Sequence, residues 1–288
     1  MEGAPPAATA SLAASLASSG PLVLLGAGRM GGAMLQGWLD RGLRPADVTV
    51  VDPGLDAARR AELEAAGVRV LGDAGDAAAG TPPRVLLLAV KPQIMADVLA
   101  RCAALAGPGT IVVSIAAGVR LATLEAAFEP RQAVVRAMPN TPAQIGQGMT
   151  VAAGNSRLDE EGRRAVHALL AAAGDVAWIE DDALMDAVTA VSGSGPAYVF
   201  LLAECLAAAG RAAGLPDDLA GRLARRTVAG GGALLAASDL PAAVLRENVT
   251  SPGGTTAAAL RVLMGEGGLE PLMIAAVAAA KARSIELG

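Results

Sequence analysis

The chain has 288 residues, 53% hydrophobic and 18% charged, with a net charge of −5 at neutral pH and a pI near 5.0. An acidic chain with two Phe, two Trp and one Tyr lacks both the basic surface and the stacking rings of a nucleic-acid binder. Cys102 and Cys205 cannot build a disulfide framework and fit a reducing cytoplasm, while a single histidine, His167, rules out zinc sites built on two imidazoles and any HExxH protease.

In chain order, residues 1–19 are mostly Ala, Ser, Pro and Thr with no basic residue, which predicts a loose tail rather than a secretory signal. From Pro21 onward the pattern alternates between strand and helix. Apolar runs of strand length fall at Leu22–Leu25, Val48–Val51, Val68–Leu71, Val85–Val90, Thr110–Ser114 and Ala133–Met138. Helical patterns such as Gly31–Asp40, Asp56–Ala66 and Ile94–Ala106 lie between most of them. Strands that are apolar throughout, rather than alternating, belong to a parallel sheet covered on both faces. Right-handed crossovers then wind it doubly and place ligands at the carboxyl ends of the strands. His167 lies in the amphipathic helical pattern Arg163–Leu170, which gives it a structural role.

Past about residue 180 the strand signal ends. Asp181–Val191, Pro196–Ala213, Asp217–Ala237, Leu240–Asn248, Thr255–Met264 and Leu269–Leu287 all read as helices. The sequence therefore predicts a nucleotide-binding domain over 20–179 and a helical domain over 180–288. Several of these helices are apolar around most of their circumference, which predicts packing against a second copy of the chain. No run of about 18 apolar residues escapes a Gly, Pro or charge, so a membrane span is not expected.

Four motifs end strands. Gly26-Ala27-Gly28-Arg29-Met30-Gly31 follows the first strand and opens a helix, the context in which GxGxxG binds a dinucleotide pyrophosphate at a helix amino terminus. Asp52 ends the second strand, where a carboxylate accepts both hydroxyls of an adenosine ribose and repels a 2′-phosphate. That favours NADH over NADPH, although Arg59 and Arg60 lie close in sequence and Asp52 can instead cap the following turn. Ala89-Val90-Lys91-Pro92 ends the fourth strand with one of only two lysines in the chain. Met138-Pro139-Asn140-Thr141-Pro142 ends the sixth in a rigid turn able to present a polar group to a nicotinamide. In the helical half, Ser192–Tyr198 (SGSGPAY) and Asn248–Thr256 (NVTSPGGTT) each run into a helix amino terminus. Two readings stand for these two: well-capped helices, or a seat for a carboxylate.

Taken together, GAGRMG at 26–31, AVKP at 89–92, SIAAGV at 114–119, MPNTPA at 138–143, SGSGPAY at 192–198 and TSPGGTT at 250–256 resemble the pyrroline-5-carboxylate reductases. The resemblance runs from Pro21 to Leu287. It implies an α/β fold, with an N-terminal Rossmann-type doubly wound parallel sheet followed by an all-helical dimerisation domain. It also implies a homodimer, with assembly into rings such as a decamer of five dimers, and no nucleic-acid or membrane partner. The implied activity is reduction of the C=N bond of a cyclic imino acid to L-proline with NADPH or NADH, without a metal. On this basis Gly26, Ala27, Gly28, Arg29 and Met30 bind pyrophosphate, and Ala89, Val90, Lys91 and Pro92 with Asn140 line the nicotinamide end. Val249, Ser251, Gly254, Thr255 and Thr256 hold the substrate, with the Thr256 hydroxyl serving the ring nitrogen. Thr250 stands where the family often has serine or cysteine. Two alternatives are a dinucleotide sensor without turnover, and a dehydrogenase like that for 3-hydroxyisobutyrate. The second would need a catalytic lysine in the helical half, where the chain offers only Lys281.

Overall fold

The computed structural model describes residues 20–78 and 81–288; the tail expected over 1–19 lies outside the described residues. Eight strands form one sheet: β1 Leu22–Leu25, β2 Val48–Val51, β3 Arg69–Leu71, β4 Val85–Leu88, β5 Ile111–Ser114, β6 Ala133–Met138, β7 Gly148–Gly154 and β8 Gly174–Trp178. Their order is β3-β2-β1-β4-β5-β6-β7-β8. The first six thus follow the 3-2-1-4-5-6 order of dinucleotide-binding sheets. All neighbours are parallel except β6 and β7.

Helices α1 Arg29–Asp40, α2 Ala57–Ala65, α3 Ala74–Ala78, α4 Met95–Cys102, α5 Leu121–Glu125, α6 Glu160–Ala171 and α7 Met185–Val188 accompany the sheet. The wholly apolar strands are explained by burial on both sides. Leu22, Leu24, Val48, Val50, Val85 and Leu87 pack with Met34, Leu35 and Trp38 of α1 and Val166 and Leu169 of α6. Their alternate neighbours Val23, Leu25, Val51, Leu86 and Leu88 pack on the other face with Met95, Leu99 and Cys102 of α4. Trp38 brings a polar atom into the first core and satisfies it, since its Nε1–H donates to the Leu169 carbonyl at 2.7 Å.

Strands β7 and β8 extend the six that the sequence predicts. Both begin at glycine and carry few β-branched residues, so their local signal is weak. They meet at those glycines: a Cβ on Gly174 would lie 2.0 Å from the Gly148 carbonyl oxygen. The segment 139–147 is shorter than the dozen or so residues that a parallel crossover needs, so β7 returns antiparallel.

The expected helix Asp181–Val191 is instead a 3₁₀ turn at Asp182–Leu184, then α7, then a π turn over Thr189–Gly193. Side chains of β6 and its loop hold this segment. The Arg136 guanidinium, 5% exposed, donates to both oxygens of Asp182 at 3.1 and 3.2 Å. The Thr189 hydroxyl donates to the Met185 carbonyl at 2.9 Å, which loosens the last helical turn. These ties explain where the chain divides. One compact unit comprises the described residues up to Gly193 together with Arg283–Gly288, and the other is Ser194–Ala282. In the first unit the Ser284 hydroxyl donates to Asp186 at 2.6 Å.

The second unit contains α8 Gly195–Ala212, α9 Asp217–Ala236, α10 Ala242–Asn248, α11 Thr255–Leu263 and most of α12 Leu269–Leu287. Helices α8 and α9 meet along a seam of small residues, with Ala207, Ala220 and Ala224 buried and Gly210 facing Ala220. Among the described residues many large apolar side chains of these helices are exposed, including Val199, Phe200, Leu201, Leu202 and Leu206 of α8.

Candidate functional site

The glycine loop between β1 and α1 divides its labour among three glycines. Gly26 takes φ +91°, and a Cβ there would sit 2.7 Å from the Ala89 carbonyl oxygen, so the turn needs glycine for both conformation and space. A Cβ on Gly31 would lie 2.1 Å from the Gly26 carbonyl oxygen, which sets how closely α1 approaches the sheet. Gly28 differs: no atom lies within 4 Å of where its Cβ would be. It is the N-cap of α1, no side chain caps the helix, and no acid occupies the first turn. The first N–H groups of α1 are therefore left for an anion, as a pyrophosphate requires.

Asp52 sits at the β2 end beside this loop. Its Oδ2 accepts the Ala27 N–H at 2.8 Å and its Oδ1 accepts the Gly54 N–H at 2.9 Å. Capping the turn and facing the ligand edge are thus compatible, because each oxygen keeps a second lone pair for a hydroxyl. Arg59 donates to Glu62 at 3.0 Å, and Arg60 donates to the Val70 carbonyl at 3.2 Å.

A cleft of about 620 Å³ opens along the carboxyl ends of β1 to β4, a size ordinary for small-molecule and cofactor sites. Among the residues that the sequence singles out, Gly26, Gly28, Asp52, Ala89, Val90 and Lys91 line it. Lys91 is exposed and has no ion-pair partner among the described residues. Ala27 faces Asp52 through its N–H, Arg29 is exposed at the first position of α1, and Pro92 opens a 3₁₀ turn. Met30 packs against the core.

Asn140 does not line the cleft. Its Oδ1 accepts the Met149 N–H at 2.9 Å, and its Nδ2 donates to the Ser192 carbonyl at 3.3 Å and hydroxyl at 3.2 Å. Its amide therefore joins the MPNTP turn to the SGSG turn. The cleft also includes Asp73, Val98 and Arg101, none of which belongs to a recognisable motif. A helical reading does contain a signal for two of them. Met95, Leu99 and Cys102 point into the core, leaving Ile94, Val98 and Arg101 to share the adjoining face of α4 at the same i, i+4, i+7 spacing. Burial pushes the Cys102 thiol up to about 11, so it is no nucleophile near neutral pH.

The second group of predicted residues lies in the helical unit. Gly253 takes φ +69°, and Gly254 is the N-cap of α11, again with no side-chain cap and no acid in the first turn. The Gly254 N–H is satisfied by the Ser251 carbonyl at 3.0 Å, which leaves the first turn at Thr255 and Thr256 as open donors. Val249 is 63% exposed, and Ser251 and Thr255 are exposed. The Thr250 hydroxyl donates to the Arg246 carbonyl at 2.6 Å and caps the end of α10. His167 lies on the surface of α6, where its Nδ1 accepts the Trp178 indole N–H at 3.3 Å.

Two family models match. The model for pyrroline-5-carboxylate reductase dimerisation covers residues 182–287, and that for NADP oxidoreductase, coenzyme F420-dependent, covers residues 21–118. The pyrroline-5-carboxylate reductase of Synechocystis sp. is 43% identical over 93% of this chain and 98% of its own. Among solved structures, a pyrroline-5-carboxylate reductase from Coxiella burnetii is 31% identical with a TM-score of 0.83, covering 94% of this chain and 99% of its own. The Plasmodium falciparum pyrroline carboxylate reductase with NADP bound is 28% identical with a TM-score of 0.76, covering 93% and 97%. Likeness of this degree along nearly the whole length, on a sheet unit with a glycine cradle and a helical unit with an open helix terminus, places the chain in the pyrroline-5-carboxylate reductase family.

Proposed function

We propose that the chain reduces the C=N bond of 1-pyrroline-5-carboxylate to L-proline with NADPH or NADH, the last step of proline biosynthesis, in a reducing cytoplasm. The observation that carries this is the near full-length likeness to these reductases. In this reading the sheet unit holds the nucleotide, and the helical segment from about residue 180 holds the substrate and the partner chain.

The glycine loop fits the cofactor, because the open face of Gly28 and the uncapped first turn of α1 offer backbone donors with no side chain in the way. Gly26, Ala27, Gly28, Arg29 and Met30 hold the pyrophosphate, Asp52 the ribose, and Ala89, Val90, Lys91 and Pro92 the nicotinamide end. Asn140 serves that end by fixing the turn it stands in. When bound, the cofactor supplies a hydride. The first-turn N–H groups of α11 hold the substrate carboxylate, and Val249, Ser251, Gly254 and Thr255 complete the substrate seat. The Thr256 hydroxyl hydrogen-bonds the ring nitrogen, as a donor or as a relay that passes a proton from solvent to the imine and is reprotonated in the same step. A protonated imine is already electrophilic, so no strong acid is needed and positioning supplies most of the rate.

Loss of absorbance at 340 nm with pyrroline-5-carboxylate and either reduced nucleotide, with proline as product, tests this reading; nucleotide binding without turnover overturns it in favour of a sensor. Thr256→Ala is expected to lower kcat about 10- to 100-fold, the loss of one strong hydrogen bond to a developing charge. The KM for the nucleotide should stay within about twofold. Unchanged turnover removes Thr256 from the mechanism. Asp52 leans the preference toward NADH, which the ratio of kcat/KM for the two nucleotides checks.

The functional form is a homodimer. The open apolar faces of the helical unit and the match of residues 182–287 to a dimerisation domain both support it. Asp182–Ala212 is also long and apolar enough to cross a membrane by composition, and we assign that surface to the partner chain rather than to lipid. Family resemblance extends the dimer to a ring, a decamer of five dimers, which the sedimentation mass decides.

A further inference from the structure

The cleft holds two acids, Asp52 and Asp73, and two cations, Lys91 and Arg101. Asp73 lies just past β3 and just before α3. Its Oδ1 accepts the Gly75 N–H at 2.7 Å, which fixes the carboxylate, and its Oδ2 lies 3.6 Å from Nη1 of Arg101 on α4. Both side chains are largely exposed, at 59% and 72%, so the pair adds little to stability. It does place a carboxylate beside the Arg101 guanidinium, where it competes with any other anion. Arg101 is the only guanidinium lining the cleft among the described residues, because Arg59 and Arg60 are turned to Glu62 and to the Val70 carbonyl.

We propose that Asp73 is a second cofactor-specificity residue, which engages Arg101 and so withholds it from an adenosine 2′-phosphate. The inference rests on the cleft being the nucleotide site. NADPH differs from NADH at this end only by a phosphate dianion, whose natural partner is a guanidinium. With Lys91 assigned to the nicotinamide end, Arg101 engaged and Asp52 at the β2 end, that phosphate would meet two carboxylates and one compensated cation. The bias toward NADH is then shared between two acids on neighbouring strand ends.

The test uses Asp73→Asn, Arg101→Ala and the double variant in the full chain. Asn keeps the acceptor for the Gly75 N–H, so the turn before α3 survives. Calorimetric binding of adenosine 2′,5′-bisphosphate and of 5′-AMP, without substrate, reads the effect apart from turnover. D73N should tighten the bisphosphate about fivefold, the upper range of an exposed ion pair. It should leave 5′-AMP unchanged, and the gain should shrink at high salt. In the R101A background the gain should vanish, and kcat/KM for NADPH relative to NADH should follow the same pattern. A bisphosphate affinity that D73N leaves unmoved, or an equal gain without Arg101, overturns the proposal while the site stands. Failure of the wild type to bind either nucleotide overturns the cleft assignment and the proposal together.

Discussion

Leu86, Leu87 and Leu88 are consecutive residues of β4, and each is 0% exposed; Val199, Phe200, Leu201 and Leu202 are consecutive residues of α8, and they are 47%, 63%, 57% and 50% exposed. One unit buries every apolar side chain of a run because its strand has a helix layer on each face. The other shows every side chain of a run because none of the described residues covers that stretch of α8, whose contact with α9 lies along its small-residue seam. Glycines divide in the same way. Gly31 and Gly174 have no room for a methyl group, whereas Gly230, Gly231 and Gly232 of α9 have nothing within 4 Å of theirs. Glycine costs a helix interior about 1 kcal/mol against alanine, and no contact among the described residues requires it at those three positions. The sheet unit is complete as a single chain, while the helical unit has the surface of half an interface.

That contrast can be broken at several points. The largest effect is expected for Gly31→Ala, which must move α1 off the sheet and should cost about 4 kcal/mol of unfolding free energy. Chemical denaturation measures this, and near wild-type stability with full nucleotide binding would show that the contact has slack. Phe200→Asp puts a charge into the proposed interface twice per dimer, so about 3 kcal/mol or more of association energy should be lost. Light scattering at micromolar concentration should then report a 28.4 kDa chain, with the sheet unit still folded and still binding nucleotide. A dimer that persists would move the interface off α8. The smallest effect is expected for Gly231→Ala. Helix propensity should favour the single chain by up to about 1 kcal/mol, while the dimer dissociation constant rises because a partner occupies the space. A rise in Tm with an unchanged dimer would show that the glycine serves no contact.

Legibility in the sequence follows how local each signal is. Strands β1, β2 and β4 to β6 are short apolar runs between turn residues, and their positions are plain from that alone. Strands β7 and β8 owe their existence to pairing at Gly148 and Gly174, a contact between residues far apart in the chain. The glycine loop is readable because each glycine answers a local demand. Asp73 and Arg101 belong to no motif and come together only because α3 and α4 cover the same face of the sheet. Asn140 shows the reverse case: its motif is plain, but what its amide bonds to, Met149 and Ser192, is visible only once the chain has folded.

The sequence by itself determined the order of the first six strands and their helices, the nucleotide cradle, the apolar helices that need a partner and the family. Each of these is written in hydrophobic period, in residues that permit one backbone geometry, or in contiguous motifs. Only the tertiary structure decided that β7 runs antiparallel, that residues 182–193 fold back onto β6 through Arg136 and Asn140, and which guanidinium borders the nucleotide cleft. Those outcomes depend on side chains from distant segments meeting, and chain closure, not local propensity, sets which of them can meet.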